Sequence, residues 1–112
     1  MTTAALGTLG CKVNQCETAY LGERLRGAGY RIVPFSRRAD IYCLNTCVVT
    51  ARAATESRQL IRRALRQNPG ARVVVTGCYA QVAPAEIACI PGVSLILGSS
   101  EKLALLEYLA AP

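Results

Sequence analysis

Histidine and tryptophan are absent from this chain of 112 residues, and aromatic residues make up only 5% of it. Without histidine, the commonest general base and the commonest imidazole ligand for a metal are missing. Site chemistry therefore falls to Cys, Lys, Arg and carboxylates. Acidic residues are scarce, seven against thirteen basic ones. No run approaches the ~18 consecutive apolar residues of a membrane span, because Thr, Asn, Gly or Arg breaks every hydrophobic stretch. Met1 to Gly10 lacks the basic start and long apolar core of a secretory signal. No Cys-x-x-Cys pair occurs. These absences predict a soluble cytoplasmic domain with no membrane partner.

The residues that are present describe a folded domain. Hydrophobic residues account for 52% and charged residues for 18%, with mean hydropathy +0.27, which excludes disorder. Residues 1–112 fit one domain, since domains cluster at roughly 100–150 residues. The net charge is +6 and eleven of the thirteen basic residues are Arg. That excess suits phosphate binding, because guanidinium forks match phosphate oxygens in pairs, and it equally suits plain solubility.

Short β-type runs alternate with helical stretches. Strands are predicted over Ala4–Gly10, Tyr30–Pro34, Asp40–Asn45, Arg72–Thr76 and Ser94–Leu97. The second is placed at an edge by its proline, and the fourth is buried by its continuous run Val73-Val74-Val75. Helices are predicted from Gln15 to about Arg26, with Thr18, Leu21 and Leu25 on one face, and over Arg52–Gln67. Thr50 would cap the second of these and Asn68-Pro69-Gly70 would end it. A short helix near Pro84–Ala88 and a last one from Glu101 to Ala110 complete the series. This alternation predicts an α/β, flavodoxin-like, doubly wound five-stranded parallel sheet of order 2-1-3-4-5 with helices on both faces.

Six cysteines stand at 11, 16, 43, 47, 78 and 89. A chain this long can bury a core of its own and needs no disulfide staples. Cys11, Cys47 and Cys78 each follow a predicted strand, at intervals of 36 and 31 positions, about one βαβ crossover apart. Strands one, three and four are neighbours in the predicted order, so the three thiols should converge at the strand-C-terminal edge. Such a set suits an iron–sulfur cluster or zinc, and the missing Cys-x-x-Cys and His count against zinc. Buried structural thiols are the alternative reading of the same pattern. Cys43 belongs inside a buried strand, Cys16 on the first helix away from its leucine face, and Cys89 in the loop before Pro91. All three read as non-ligands.

Thr8-Leu9-Gly10-Cys11-Lys12-Val13-Asn14-Gln15, Asn45-Thr46-Cys47-Val48-Val49-Thr50 and Val75-Thr76-Gly77-Cys78-Tyr79-Ala80-Gln81 resemble the N-terminal domain of the radical-SAM methylthiotransferases. The first of these, with Ser57-Arg58-Gln59-Leu60-Ile61-Arg62-Arg63-Ala64, looks like the branch acting on threonylcarbamoyladenosine in tRNA. The resemblance implies that Cys11, Cys47 and Cys78 bind an auxiliary 4Fe–4S cluster whose open iron carries the sulfur to be inserted. It also implies a separate radical-SAM domain with a second 4Fe–4S cluster and S-adenosylmethionine, a further C-terminal module that helps grip tRNA, and tRNA as partner. The radical-SAM signature CxxxCxxC is incomplete here: Cys43-Leu44-Asn45-Thr46-Cys47 supplies its first interval, but position 50 is Thr. Cys16 is a second departure, at a position where relatives often carry a residue such as Tyr. The expectation is a cluster-carrying domain of an enzyme, inactive by itself.

Other readings follow from the same residues. The alternatives are action on another tRNA adenosine or on a ribosomal protein, or a flavodoxin-like FMN-binding module. Flavin phosphate would want a hydroxyl- and glycine-rich loop, whereas strand one is followed by Cys11-Lys12-Val13-Asn14-Gln15. Arg52, Arg58, Arg62, Arg63 and Arg66 fall within roughly 140° of one helix face. That face is either a solvated surface opposite the core or a contact for tRNA phosphate. Of Lys12, Asn14 and Gln15, Asn14 is expected to cap the first helix, and none receives a catalytic role.

Overall fold

The structure, a computed structural model, describes residues 2–9, 12–46 and 50–97, except for the side chains of 12–14 and 78. In chain order the elements are β1 (Thr3–Thr8), α1 (Lys12–Gly27), β2 (Arg31–Val33), β3 (Ile41–Thr46) and α2 (Ala51–Gln67). They continue with β4 (Arg72–Gly77), α3 (Cys78–Val82), α4 (Pro84–Ala88) and β5 (Leu95–Ile96). All neighbouring strands pair in parallel, in the order β2-β1-β3-β4-β5. The predicted doubly wound sheet is the observed one.

The apolar runs explain the layering. Every residue of β3 is buried, as a central parallel strand covered on both faces must be. Val73, Val74 and Val75 are at most 1% exposed, and each stabilises the fold by about 2 kcal/mol through burial. Successive side chains alternate between two cores. Ala4, Ile41, Cys43 and Val74 meet Leu21 and Leu25 of α1. Ala5, Tyr42, Leu44 and Val75 meet Ile61 and Ala64 of α2 on the other face. The two long helices thus cover opposite sides of the sheet.

Polar groups fix the ends of α2. Thr50 Oγ1 accepts the Ala53 N–H at 3.0 Å, the expected N-cap. Asn68 ends the helix, and its Nδ2 donates to Ala39 O at 2.7 Å while its Oδ1 accepts the Gly70 N–H at 3.1 Å. The terminator is therefore also a strap onto the start of β3.

Most element ends shift by a residue or so, and a few differences are larger or bear on the site. β1 ends at Thr8 rather than Gly10, although the Leu9 N–H still donates to Asn45 O at 2.9 Å. α1 begins at Lys12 rather than Gln15, which places Asn14 within its first turn and not at a cap. Thr18, Leu21 and Leu25 of this helix are buried against the sheet, as their spacing predicts. β5 is trimmed to Leu95–Ile96. The short helix α3 was not expected from the sequence; it starts at once after β4. The predicted helix from Glu101 to Ala110 lies outside the described residues.

Candidate metal centre

At the strand-C-terminal edge, Asn45 of β3 is the register partner of both Thr8 of β1 and Thr76 of β4. Thr46 is likewise the partner of Gly77. The residues immediately before Cys47 and Cys78 therefore lie side by side on adjacent strands, which are about 4.8 Å apart in a sheet. The bond from Leu9 N to Asn45 O carries β1 along the same edge to two residues before Cys11. Cys11 and Cys47 lie outside the described residues, and Cys78 is described by its backbone alone, as the first residue of α3.

A row of buried polar groups underlies this edge. Thr8 Oγ1 donates to Thr18 Oγ1 at 2.7 Å, and Asn45 Nδ2 donates to the same oxygen at 3.3 Å. Thr46 Oγ1 donates to Thr76 O at 2.7 Å, bonding the last turns of β3 and β4 together. Thr76 Oγ1 is fully buried and has no hydrogen-bond partner among the described residues. A buried hydroxyl left so costs about 1–3 kcal/mol.

Gly77 makes the approach of β3 and β4 possible. Its φ of 96° and ψ of −167° belong to glycine. A Cβ there would run into Asn45 Oδ1 and the Thr46 carbonyl oxygen, and would lie 2.8 Å from Thr46 N. Neither this residue nor Thr76 was singled out from the sequence as more than a motif member. The signal that could have found Gly77 is a glycine closing a β-branched run just before a cysteine.

Tyr79 holds the segment after Cys78. Its ring is buried, its hydroxyl donates to Glu86 Oε1 at 2.9 Å, and it accepts from Arg58 Nη1 at 2.8 Å. Arg58 also approaches Glu86 at 4.0 Å and donates to Thr55 Oγ1 at 3.2 Å. Sequence periodicity put Arg58 on the open basic face, but the structure ties it to α3 and α4.

Of the remaining cysteines, Cys43 lies in the buried strand as expected, while Cys16 and Cys89 are not buried thiols. Cys43 is buried, and burial pushes its thiol up to about 12, so it stays neutral. Cys16 and Cys89 are free and exposed. Among the described residues no three Cys, Asp or Glu converge on a point. The donor set Cys11, Cys47 and Cys78 is soft sulfur, which fits an iron–sulfur cluster. The orphaned Thr76 hydroxyl on the strand end leading to Cys78 fits a further polar partner at this edge.

The architecture is that of a doubly wound α/β domain. A CheY-like response regulator receiver domain protein from Methanospirillum hungatei JF-1 superposes with a TM-score of 0.70 at 12% identity, covering 97% of this chain and 91% of that one. The pilus assembly-related protein BPSS2195 from Burkholderia pseudomallei K96243 gives 0.64 at 18% identity, covering 97% and 87%. Those likenesses are of fold alone.

Residues 3–98 match the family model described as "Uncharacterized protein family UPF0004", and the chain belongs to that family. It is 49% identical over 109 residues to the threonylcarbamoyladenosine tRNA methylthiotransferase MtaB of Bacillus subtilis (strain 168), across 97% of this chain and 24% of the relative. With MtaB of Aquifex aeolicus (strain VF5) the identity is 47% over 105 residues, across 94% and 26%. With the ribosomal protein uS12 methylthiotransferase RimO of Chloroflexus aurantiacus it is 34% over 95 residues, across 84% and 21%. The chain thus spans about a quarter of the length of the curated relatives it matches. The resemblance to the methylthiotransferases read from the motifs is borne out.

Proposed function

We propose that residues 1–112 are the auxiliary-cluster domain of a tRNA methylthiotransferase that forms 2-methylthio-threonylcarbamoyladenosine in the cytoplasm. Cys11, Cys47 and Cys78 would be the three protein ligands of one 4Fe–4S cluster. The register pair Thr46–Gly77, which sets the positions before Cys47 and Cys78 side by side, carries this reading. When bound, the cluster supplies an open iron for the sulfur to be inserted. The chain's own part is to hold three thiolates on a stiff sheet edge, with Tyr79 and Arg58 bracing α3 behind Cys78. Cys43 takes no part, because its thiol is buried and neutral.

The substrate rests on the relatives. Identity is 49% and 47% to the two MtaB proteins but 34% to the RimO protein, which favours tRNA over a ribosomal protein. Activation of an aromatic C–H bond needs a radical source. In the whole enzyme a radical-SAM domain with its own 4Fe–4S cluster and S-adenosylmethionine would provide it.

Anaerobic reconstitution followed by iron and sulfide analysis tests the site. Cys11→Ala, Cys47→Ala and Cys78→Ala should each remove most bound iron, while the same change at Cys16, Cys43 or Cys89 leaves it. A loss at Cys16 equal to that at Cys11 would reject the ligand set, and a flavin absorption spectrum would reject the cluster. In the full-length enzyme, Cys47→Ala should still cleave S-adenosylmethionine yet form no methylthiolated tRNA. The 112-residue chain alone should form no product.

A further inference from the structure

The outward face of α2 carries the chain's densest charge of one sign. Between 51 and 67 there are five Arg and one acid, Glu56. Glu56 Oε1 is occupied by Arg52 Nε at 3.0 Å, and Arg58 is engaged with Tyr79. Arg62, Arg63 and Arg66 are exposed, and no acid among the described residues lies within ion-pair distance of them. Arg63 is held in place, its guanidinium 5.5 Å from the centre of the Phe35 ring. Gln67 Nε2 fixes that loop by donating to Phe35 O at 2.9 Å, and the exposed Arg37 and Arg38 follow in it. By contrast α1, on the opposite face of the sheet, balances Arg26 with Glu23 at 2.6 Å.

Arg63 and Arg66 also line a groove with Gln59, Glu56, Leu60 and Leu9. Leu9 and Leu60 give its lining an apolar part, and Arg63 and Arg66 a cationic one. Leu9 directly follows β1, so the groove opens beside the strand edge that leads to Cys11. A cationic groove tracks the backbone of single-stranded nucleic acid, with phosphates on the guanidinium groups. An acidic protein surface would need that charge and not the apolar lining of Leu9 and Leu60.

We propose that this groove, lined by Arg63 and Arg66, grips the single-stranded backbone of an RNA loop beside the metal edge. The choice of RNA over another polyanion rests on the tRNA reading above. Each arginine neutralises one phosphate and adds salt-dependent affinity without reading sequence.

The test is fluorescence anisotropy of the chain with a labelled RNA hairpin carrying a seven-nucleotide loop, titrated over a range of salt. Arg63→Gln/Arg66→Gln should weaken binding about tenfold near 0.1 M salt and lower the slope of log K against log salt by about 1.4. Arg24→Gln/Arg26→Gln removes the same net charge from α1 and should change affinity less than twofold. Equal effects from the two pairs, or no binding by the unaltered chain, would overturn the proposal. So would competition by polyglutamate as effective as that by unlabelled RNA at equal charge, which would mark an acidic-protein surface instead. Iron content, measured on the same preparations, separates the two readings. A chain that never holds iron but shows the arginine effect keeps the groove and loses the cluster; the converse loses only the groove.

Discussion

Gly77→Ala perturbs the candidate centre without touching a thiol. The backbone at Gly77, φ 96° and ψ −167°, lies in a region open essentially to glycine, and a side chain there stores about 1–3 kcal/mol of strain. The new Cβ also meets the Thr46 backbone and Asn45 Oδ1. Thr46 cannot retreat cheaply, since it is fully buried in the central strand and its hydroxyl is bonded to Thr76 O at 2.7 Å. The cost is therefore set near the top of that range, about 3 kcal/mol. With a urea dependence of about 2 kcal/mol per molar, the unfolding midpoint should fall by about 1.5 M. Gly27→Ala is the matched control, because no atom lies within 4 Å of its Cβ. It should be neutral or stabilising by up to about 1 kcal/mol. At urea concentrations where Gly77→Ala is still folded, its iron capacity after reconstitution should also drop, since β3 and β4 must part to admit the methyl. A midpoint within about 0.3 M of the unaltered chain would refute the steric reasoning. A destabilised variant with full iron capacity would refute the link from this glycine to the metal edge.

Thr76→Val replaces an orphaned buried hydroxyl with a methyl of similar size, so the metal-free chain should gain about 1 kcal/mol in urea unfolding. If that hydroxyl serves the bound cluster, the same variant should lose iron faster to a chelator; no gain in stability would show that the hydroxyl is already paired. Cys43 makes stability fall with alkali. Above about pH 9 the unfolded chain releases this proton, while the folded chain keeps it until about 12. The slope is about 1.4 kcal/mol per pH unit over that window and zero from this group below it. Cys43→Ala should flatten the urea-midpoint profile between pH 9 and 11, and parallel profiles would contradict the burial argument. Asp40 acts at the other end of the scale, its carboxyl held below its ordinary 3.8 by the Thr3 backbone N–H first and the Thr3 hydroxyl second. Its contribution is present above that value and is lost as pH falls through the folded one, so Asp40→Asn should weaken the acid dependence of unfolding below pH 4.

What could be read from the sequence was whatever depends on local pattern. Val73-Val74-Val75 has one meaning in a chain of alternating elements, a buried parallel strand, and five such strands favoured the doubly wound order 2-1-3-4-5. Thr50 needed only its own hydroxyl and the N–H three residues on. Thr18, Leu21 and Leu25 declared the inner face of α1 by spacing alone. The placement of Cys16, Cys43 and Cys89 followed from the same periodicities. What could not be read depends on distant partners. Arg58 sits on the basic arc by angle, yet the buried Tyr79, 21 positions away, claims its guanidinium. Asn14 looked like a cap because Asn favours that position, but α1 starts at Lys12, three residues before the expected Gln15. α3 has no amphipathic period to announce it, being five residues long and fixed by Tyr79 at its second position.

The two candidate sites meet at β1 and differ in what holds them. The metal edge is held by short-range, directional contacts: the strand ladder, the Thr46 to Thr76 bond and a glycine that admits no Cβ. Such contacts are stiff, and they fail abruptly when a single atom is added. The arginine face is held by one ring contact and one amide bond, and its interaction with phosphate is long-ranged and graded by salt. A surface of that kind tolerates displacement and fails gradually as charge is removed. Leu9 belongs to both, donating its N–H to Asn45 on the edge while its side chain lines the groove. In the proposed arrangement a polyanion seated along α2 would reach the end of the strand that leads to Cys11, with the rigid part of the domain left to the thiols and the adaptable part to the chain of phosphates.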